Sequence, residues 1–148
     1  YMDKNPNAAP TDFMKLAEIY VNKAKKDPAK KIENIDKAIG VYAKLSEKYP
    51  TLKTFAKLQE GNTAFQNELD DKAIAAYTEV INELEAKQCD EDELSYLKTS
   101  YQYMGFIYTY DKQDFNTAKP YWDKLLKLDP QNKLANDAYE KAGLKPGE

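Results

Sequence analysis

Apolar residues return every three or four positions through most of the chain. Phe13, Leu16, Ala17 and Tyr20 form one such stripe and Ile35, Ala38, Ile39, Tyr42 and Leu45 another. That period puts each set on one face of an amphipathic helix. Alternation of the strand kind is nowhere sustained. Pro28, Pro50, Pro120, Pro130 and Gly143 punctuate the stripes, which predicts seven helices near 11–26, 28–48, 51–68, 71–88, 92–111, 116–128 and 132–142. Asp27 is the expected N-cap of the second, with Pro28 at its first helical position. Pro120 falls in the first turn of a helix beginning at Asn116, where backbone N–H groups have no partner in any case.

The pattern repeats. Asp36-Lys37-Ala38-Ile39, followed by Tyr42, Leu45 and Pro50, recurs as Asp71-Lys72-Ala73-Ile74 with Tyr77 and Val80. A third copy is Asn116-Thr117-Ala118-Lys119 with Trp122, Leu125 and Pro130, so the small anchors Ala38, Ala73 and Ala118 stand 35 and 45 residues apart. Upstream of each copy lies a partner helix, marked by Phe13, Leu16, Ala17 and Tyr20, then by Gly61, Asn62 and Phe65, then by Tyr101, Met104, Gly105 and Tyr108. Small residues at Ala17, Gly61, Gly105, Ala38, Ala73 and Ala118 let helices approach closely. Tyr20, Tyr42, Tyr77, Tyr108 and Trp122 are read as the core aromatics that fill the space beside them.

In these residues the chain resembles the tetratricopeptide (TPR) family, whose 34-residue unit runs aromatic-x2-L-G-x2-Y, then A-x3-F, then a later proline. The resemblance implies an all-α, right-handed superhelix of antiparallel helix pairs. Three repeats fall at about 10–50, 51–90 and 91–131, with a capping helix at about 132–143, in a single domain over 1–148. The third repeat matches best, apart from one extra residue between its helices. The second departs from the pattern at Lys57 and Glu60, where large apolar residues are expected, and has no closing proline. Tyr1-Met2-Asp3-Lys4 reads as mid-chain sequence and Asn5-Pro6-Asn7 as the close of a preceding repeat. With Leu134, Ala138 and Ala142 forming the apolar side of a cap, the ends predict the C-terminal part of a larger TPR protein of bacterial type.

Composition narrows the chemistry. Among 148 residues there is no His and no Arg, all 22 cations being Lys against 25 acids, for a net charge of −3. Imidazole is the commonest general base and metal ligand near neutral pH, and Arg the usual bidentate grip on phosphate and carboxylate. Cys89 is the only cysteine, so neither an intrachain disulfide nor a multi-Cys zinc site is expected. Asp90-Glu91-Asp92-Glu93 lacks the EF-hand order of ligands and reads as a helix start. Lys23, Lys25, Lys26, Lys30 and Lys31 read as a solvated face, flanked by Asp27 and Glu33 and without the interleaved aromatics of single-strand binders. No phosphate-cradling glycine loop or nucleophile elbow occurs. The expectation is a non-enzyme with no cofactor and no metal, no nucleic-acid partner, and no membrane insertion by this fragment, since no apolar run approaches the roughly 18 residues a span needs.

What remains is the surface the repeats make. The resemblance implies that the first helix of each pair lines a concave groove. The residues facing it are then Met14, Glu18 and Val21, next Phe55, Leu58, Asn62, Phe65 and Gln66, and last Gln102, Phe106 and Tyr110 with Tyr103 close by. Such an aromatic, weakly charged concavity suits a peptide or protein segment, and a neighbouring helix burying these side chains would give the same pattern. Some TPR modules hold a chaperone tail's C-terminal carboxylate with Lys, Asn and Arg. Only Asn62 matches, while Leu58, Gln102 and Tyr103 stand at the places of that clamp's cations or amides, so this use is disfavoured. A structural scaffold or self-association domain is the alternative function.

Overall fold

The computed structural model describes residues 5–147. Tyr1 to Lys4, on which the mid-chain reading rests, lie outside them. The described residues are predominantly helical and contain no strand. The helices are α1 Pro10–Lys26, α2 Lys31–Lys48, α3 Lys53–Gln66, α4 Asp70–Glu85, α5 Glu91–Phe106, α6 Phe115–Leu128 and α7 Lys133–Lys141. The fold class is all-α.

Helix ends follow the local chemistry closely. Asp90 accepts a hydrogen bond from Glu93 N at 2.8 Å while Glu93 Oε1 accepts one from Asp90 N at 3.1 Å. This reciprocal capping box makes the acidic run a helix start. Asp114 and Asn132 cap α6 and α7 through Thr117 N and Ala135 N. Asp27 does not cap α2. Its side chain makes no cap bond, and its carbonyl accepts from Lys30 N at 3.0 Å, closing a 3-10 turn over Pro28–Lys30 before α2 begins. A similar turn at Pro50–Leu52 leads into α3. α3 ends in a Schellman motif, Glu68 N donating to Phe65 O and Leu69 N to Ala64 O, with Glu68 itself at φ 63°.

Two expectations about proline and period are corrected. α6 begins at Phe115, so Pro120 is its sixth residue and lies inside the helix, leaving the Asn116 carbonyl without its partner. Both residues are exposed, so the carbonyl lies on the solvent side of the helix. The stretch 107–111 is helical, but as a π turn, Lys112 N donating to Ile107 O at 2.9 Å. Gly105 stands thirteen residues before Ala118 where Gly61 stands twelve before Ala73. The wider turn takes up the additional residue.

The chain divides into two compact units, one ending at Glu79 and one beginning at Val80. In the first, α1 packs on α2 and α2 on α3, around Phe13, Ala17, Ala38, Val41, Tyr42, Leu45 and Ala56. Tyr77 is fully buried here, and a Cβ on Gly61 would stand 2.7 Å from its ring. In the second, α5, α6 and α7 pack on one another, with Trp122 fully buried and a Cβ on Gly105 only 2.6 Å from it. The small residues thus admit aromatics of the partner helix, as their spacing suggested. The two polar tips are also anchored, Tyr77 Oη donating to Asn62 Oδ1 at 2.7 Å and Trp122 Nε1 to Thr109 Oγ1 at 2.8 Å.

Tyr20 and Tyr108 are half-buried rather than core. Tyr108 sits on the π turn, which carries it off the helical stripe to stack on Tyr121, their rings 6.2 Å apart and nearly parallel. In α7 the buried residues are Ala135, Ala138 and Tyr139, while Leu134 is half-buried and Ala142 exposed. Tyr139 displaces Ala142 because its ring meets Phe115 edge-on at 5.4 Å and its hydroxyl donates to Asp123.

Candidate functional site

In the first unit, Met14 and Glu18 lie exposed on α1 with Val21 half-buried. The three share a face by their spacing of four and three. Glu18 reaches the seam of α2 and α3, because Tyr42, hydrogen-bonded to Thr63, feels its charge. Burial, with a smaller push from Glu18, holds the Tyr42 hydroxyl above its ordinary value against the pull of the Thr63 bond. On α3, Phe55, Asn62 and Phe65 are half-buried and Gln66 is exposed. Leu58, on the same face, is only 5% exposed and belongs to the packing rather than to an open surface. Asn62 accepts the Tyr77 hydroxyl on its Oδ1.

The second unit places its candidates more tightly. Phe106 and Tyr110 have ring centroids 4.8 Å apart and a tilt of 50°. Lys141 Nζ stands 4.9 Å over the Tyr110 ring, and Gln102 Oε1 accepts a hydrogen bond from Asn132 Nδ2 at 3.0 Å. Gln102, Tyr103, Phe106 and Tyr110 are all half-buried. The face is therefore built by α5, the π turn and both ends of α7. Asn132 and Lys141 escaped the sequence reading. The first was legible as an N-cap, while the second shows only as a cation in the last turn of α7.

Lys57 and Glu60 carry the other surprise. They pair at 2.6 Å, with Glu60 only 5% exposed, and Lys57 also reaches Glu79 at 3.3 Å. Burial raises the Glu60 carboxyl above the ordinary glutamate range, Lys57 pulls it back and Glu79 adds to the rise. Repeats one and three bury Phe13 and Tyr101, Leu16 and Met104 in whole or part at the corresponding places. Two apolar side chains are thus exchanged for an internal ion pair.

Among the described residues no group of three or more Cys, Asp or Glu is placed to hold a metal ion, and no helix is long and apolar enough to cross a membrane. The Cys89 thiol donates to Leu84 O at 3.3 Å and burial pushes it above its ordinary value, which leaves little thiolate at neutral pH. Glu85 accepts from Tyr101 Oη and from Lys124 Nζ at 2.9 Å, a structural tie of α4, α5 and α6. In comparisons with known proteins, no family model, no curated protein and no solved structure matches the chain.

Proposed function

We propose that the chain is a non-catalytic protein-interaction module of TPR type, holding an extended or helical segment of another protein on the outward faces of its first helices. The observation that carries this reading is the Phe106–Tyr110 pair. Two half-buried rings are fixed against each other, one of them backed by Lys141, beside an amide pair, Gln102 and Asn132, already set in place. Rigid aromatic anchors ringed by polar groups are what a protein partner's apolar side chains bind most strongly, and their fixed geometry lowers the ordering cost of binding. In the first unit Phe55, Phe65 and Asn62, its amide fixed by Tyr77, offer a similar combination on α3. The repeat spacing and the close approaches at Gly61 and Gly105 support the TPR assignment.

The test is capture of partners from the native cell extract with the full-length protein, comparing wild type with Phe65→Ala plus Phe106→Ala. The double variant is expected to lose the partner while keeping its helical circular dichroism. Each anchor carries about 2 kcal/mol or more. Retention of every partner by a folded double variant overturns the reading. A second reading, self-association, is favoured by the apolar side chains that α1 leaves in water, Ile19 at 50% and Met14 at 36% exposure. Sedimentation of wild type against Ile19→Lys separates the two.

A further inference from the structure

Where α1 ends and α2 begins, the first unit opens a polar cleft of about 350 Å³, lined by Lys23, Lys26, Lys30 and Lys37 with Asp27, Glu33 and Asn34. Its charges do not balance. Four ammonium groups face two carboxylates, and Glu33 is already paired with Lys37 at 3.2 Å. Lys23, Lys26 and Lys30 have no carboxylate within ion-pair distance among the described residues. The ring of Tyr20 gathers two of the amines, Lys23 Nζ at 5.4 Å and Lys37 Nζ at 5.9 Å from its centroid, an attraction that holds like charges side by side. Asn34, 7% exposed, donates from Nδ2 to Lys30 O at 3.1 Å and pins the turn that carries Lys30.

Helix dipoles do not explain the whole of this arrangement. Lys23 and Lys26 stand in the last turn of α1, where cations offset the negative end of the dipole. Lys30 stands at the N-cap of α2, the positive end, where cations are disfavoured. It is held there against the local preference, in a chain whose net charge is −3.

We propose that this cleft binds a multiply charged oxyanion of the phosphate type. Lysine offers a compact point charge with three rotatable donors, which suits a tetrahedral phosphate. A planar carboxylate is held best by the guanidinium fork this chain lacks. The volume lies at the small end of ligand pockets, about 300–1,000 Å³. Ammonium groups already stand over the Tyr20 ring, so the cleft grips an anion without offering a base-stacking platform.

The experiment titrates inorganic pyrophosphate into the ¹⁵N-labelled full chain at low salt and follows the amide resonances. Companion titrations use Lys26→Gln/Lys30→Gln and, as a control, Lys25→Gln, an exposed neighbour outside the cleft. Saturable shifts concentrated over residues 23–37 are expected, with affinity about tenfold or more weaker in the double variant and unchanged in the control. Sedimentation with phosphatidic-acid vesicles, set against phosphatidylcholine vesicles, then tells the source of the phosphate. Co-sedimentation beside a pyrophosphate response assigns a lipid headgroup, and its absence beside that response assigns a soluble phosphate. Shifts spread evenly over lysines along the chain, an unweakened double variant, or a response to an oligoglutamate peptide with none to pyrophosphate each overturns the proposal.

Discussion

The indole of Trp122 occupies the space a side chain on Gly105 would need, a Cβ there standing 2.6 Å from Cε2 and 2.7 Å from Cδ2. The indole cannot yield cheaply, being fully buried with its N–H bonded to Thr109. Gly105→Ala is therefore expected to destabilise the protein by about 1–3 kcal/mol, although alanine is the better helix former. Gly40 in α2 has no atom within 4 Å of the same added group. Gly40→Ala should stabilise by about 0.5–1 kcal/mol. Denaturant melts of the two variants check both signs, and equal shifts in one direction would contradict the packing account.

The Lys57–Glu60 pair predicts an asymmetry between single and double substitution. Lys57→Ala strips a buried carboxylate of its partner and is expected to cost about 1–3 kcal/mol, less than for a fully buried pair because Lys57 is itself partly exposed. Lys57→Leu with Glu60→Leu restores the apolar pattern of the other two repeats and should be neutral or stabilising by about 1–4 kcal/mol. Chemical denaturation of the three proteins decides it.

The same carboxylate sets a pH dependence. Glu60 is raised above the ordinary value of 4.5 by burial, against the pull of Lys57. Between that value and its folded one the native state holds more protons, so this group's contribution to stability falls as pH rises. Glu85 runs the other way. Burial would raise it, but its bonds to Tyr101 and Lys124 prevail and lower it, so its contribution is present above the unfolded value and is lost as pH falls through the folded one. Stability curves between pH 3 and 8, roughly the carboxylate window, should show Glu60→Gln gaining on wild type as pH rises and Glu85→Gln flattening the acid limb.

Glu68 ends α3 at φ 63°, a left-handed conformation that costs a side-chain-bearing residue about 1 kcal/mol. Its distance to Lys31, 3.8 Å across exposed side chains, returns little. Glu68→Gly is expected to raise the melting temperature by a few degrees, about 1 kcal/mol converted at this chain length. A lowered melting temperature would show that the ion pair outweighs the backbone.

Much of the fold was legible because helical period and small-residue anchors are local signals. Ala17, Ala38, Ala73 and Ala118 are all fully buried, and the seven helices lie within a few residues of where the stripes end. Failures came where a distant partner decides. The extra residue between Gly105 and Ala118 does not say that a π turn at Tyr108 will absorb it, nothing near Ala142 says that Tyr139 will take its place, and Lys57 with Glu60 reads as a broken pattern until Glu79 is brought beside it. The outward faces of α1, α3 and α5 follow from spacing alone. The burial of Leu58 and the backing of Tyr110 by Lys141 belong to packing that spacing does not encode.

Trp122 is the chain's single tryptophan. Its indole N–H is held by Thr109, midway along the π turn and between Tyr108, stacked on Tyr121, and Tyr110, paired with Phe106. The protein therefore carries a built-in fluorophore whose emission reads one turn of backbone. Loss of the Thr109 bond changes the electronic surroundings of the indole, so a partner that displaces the backbone of this turn on seating against the proposed aromatic face is expected to change the emission without any added dye.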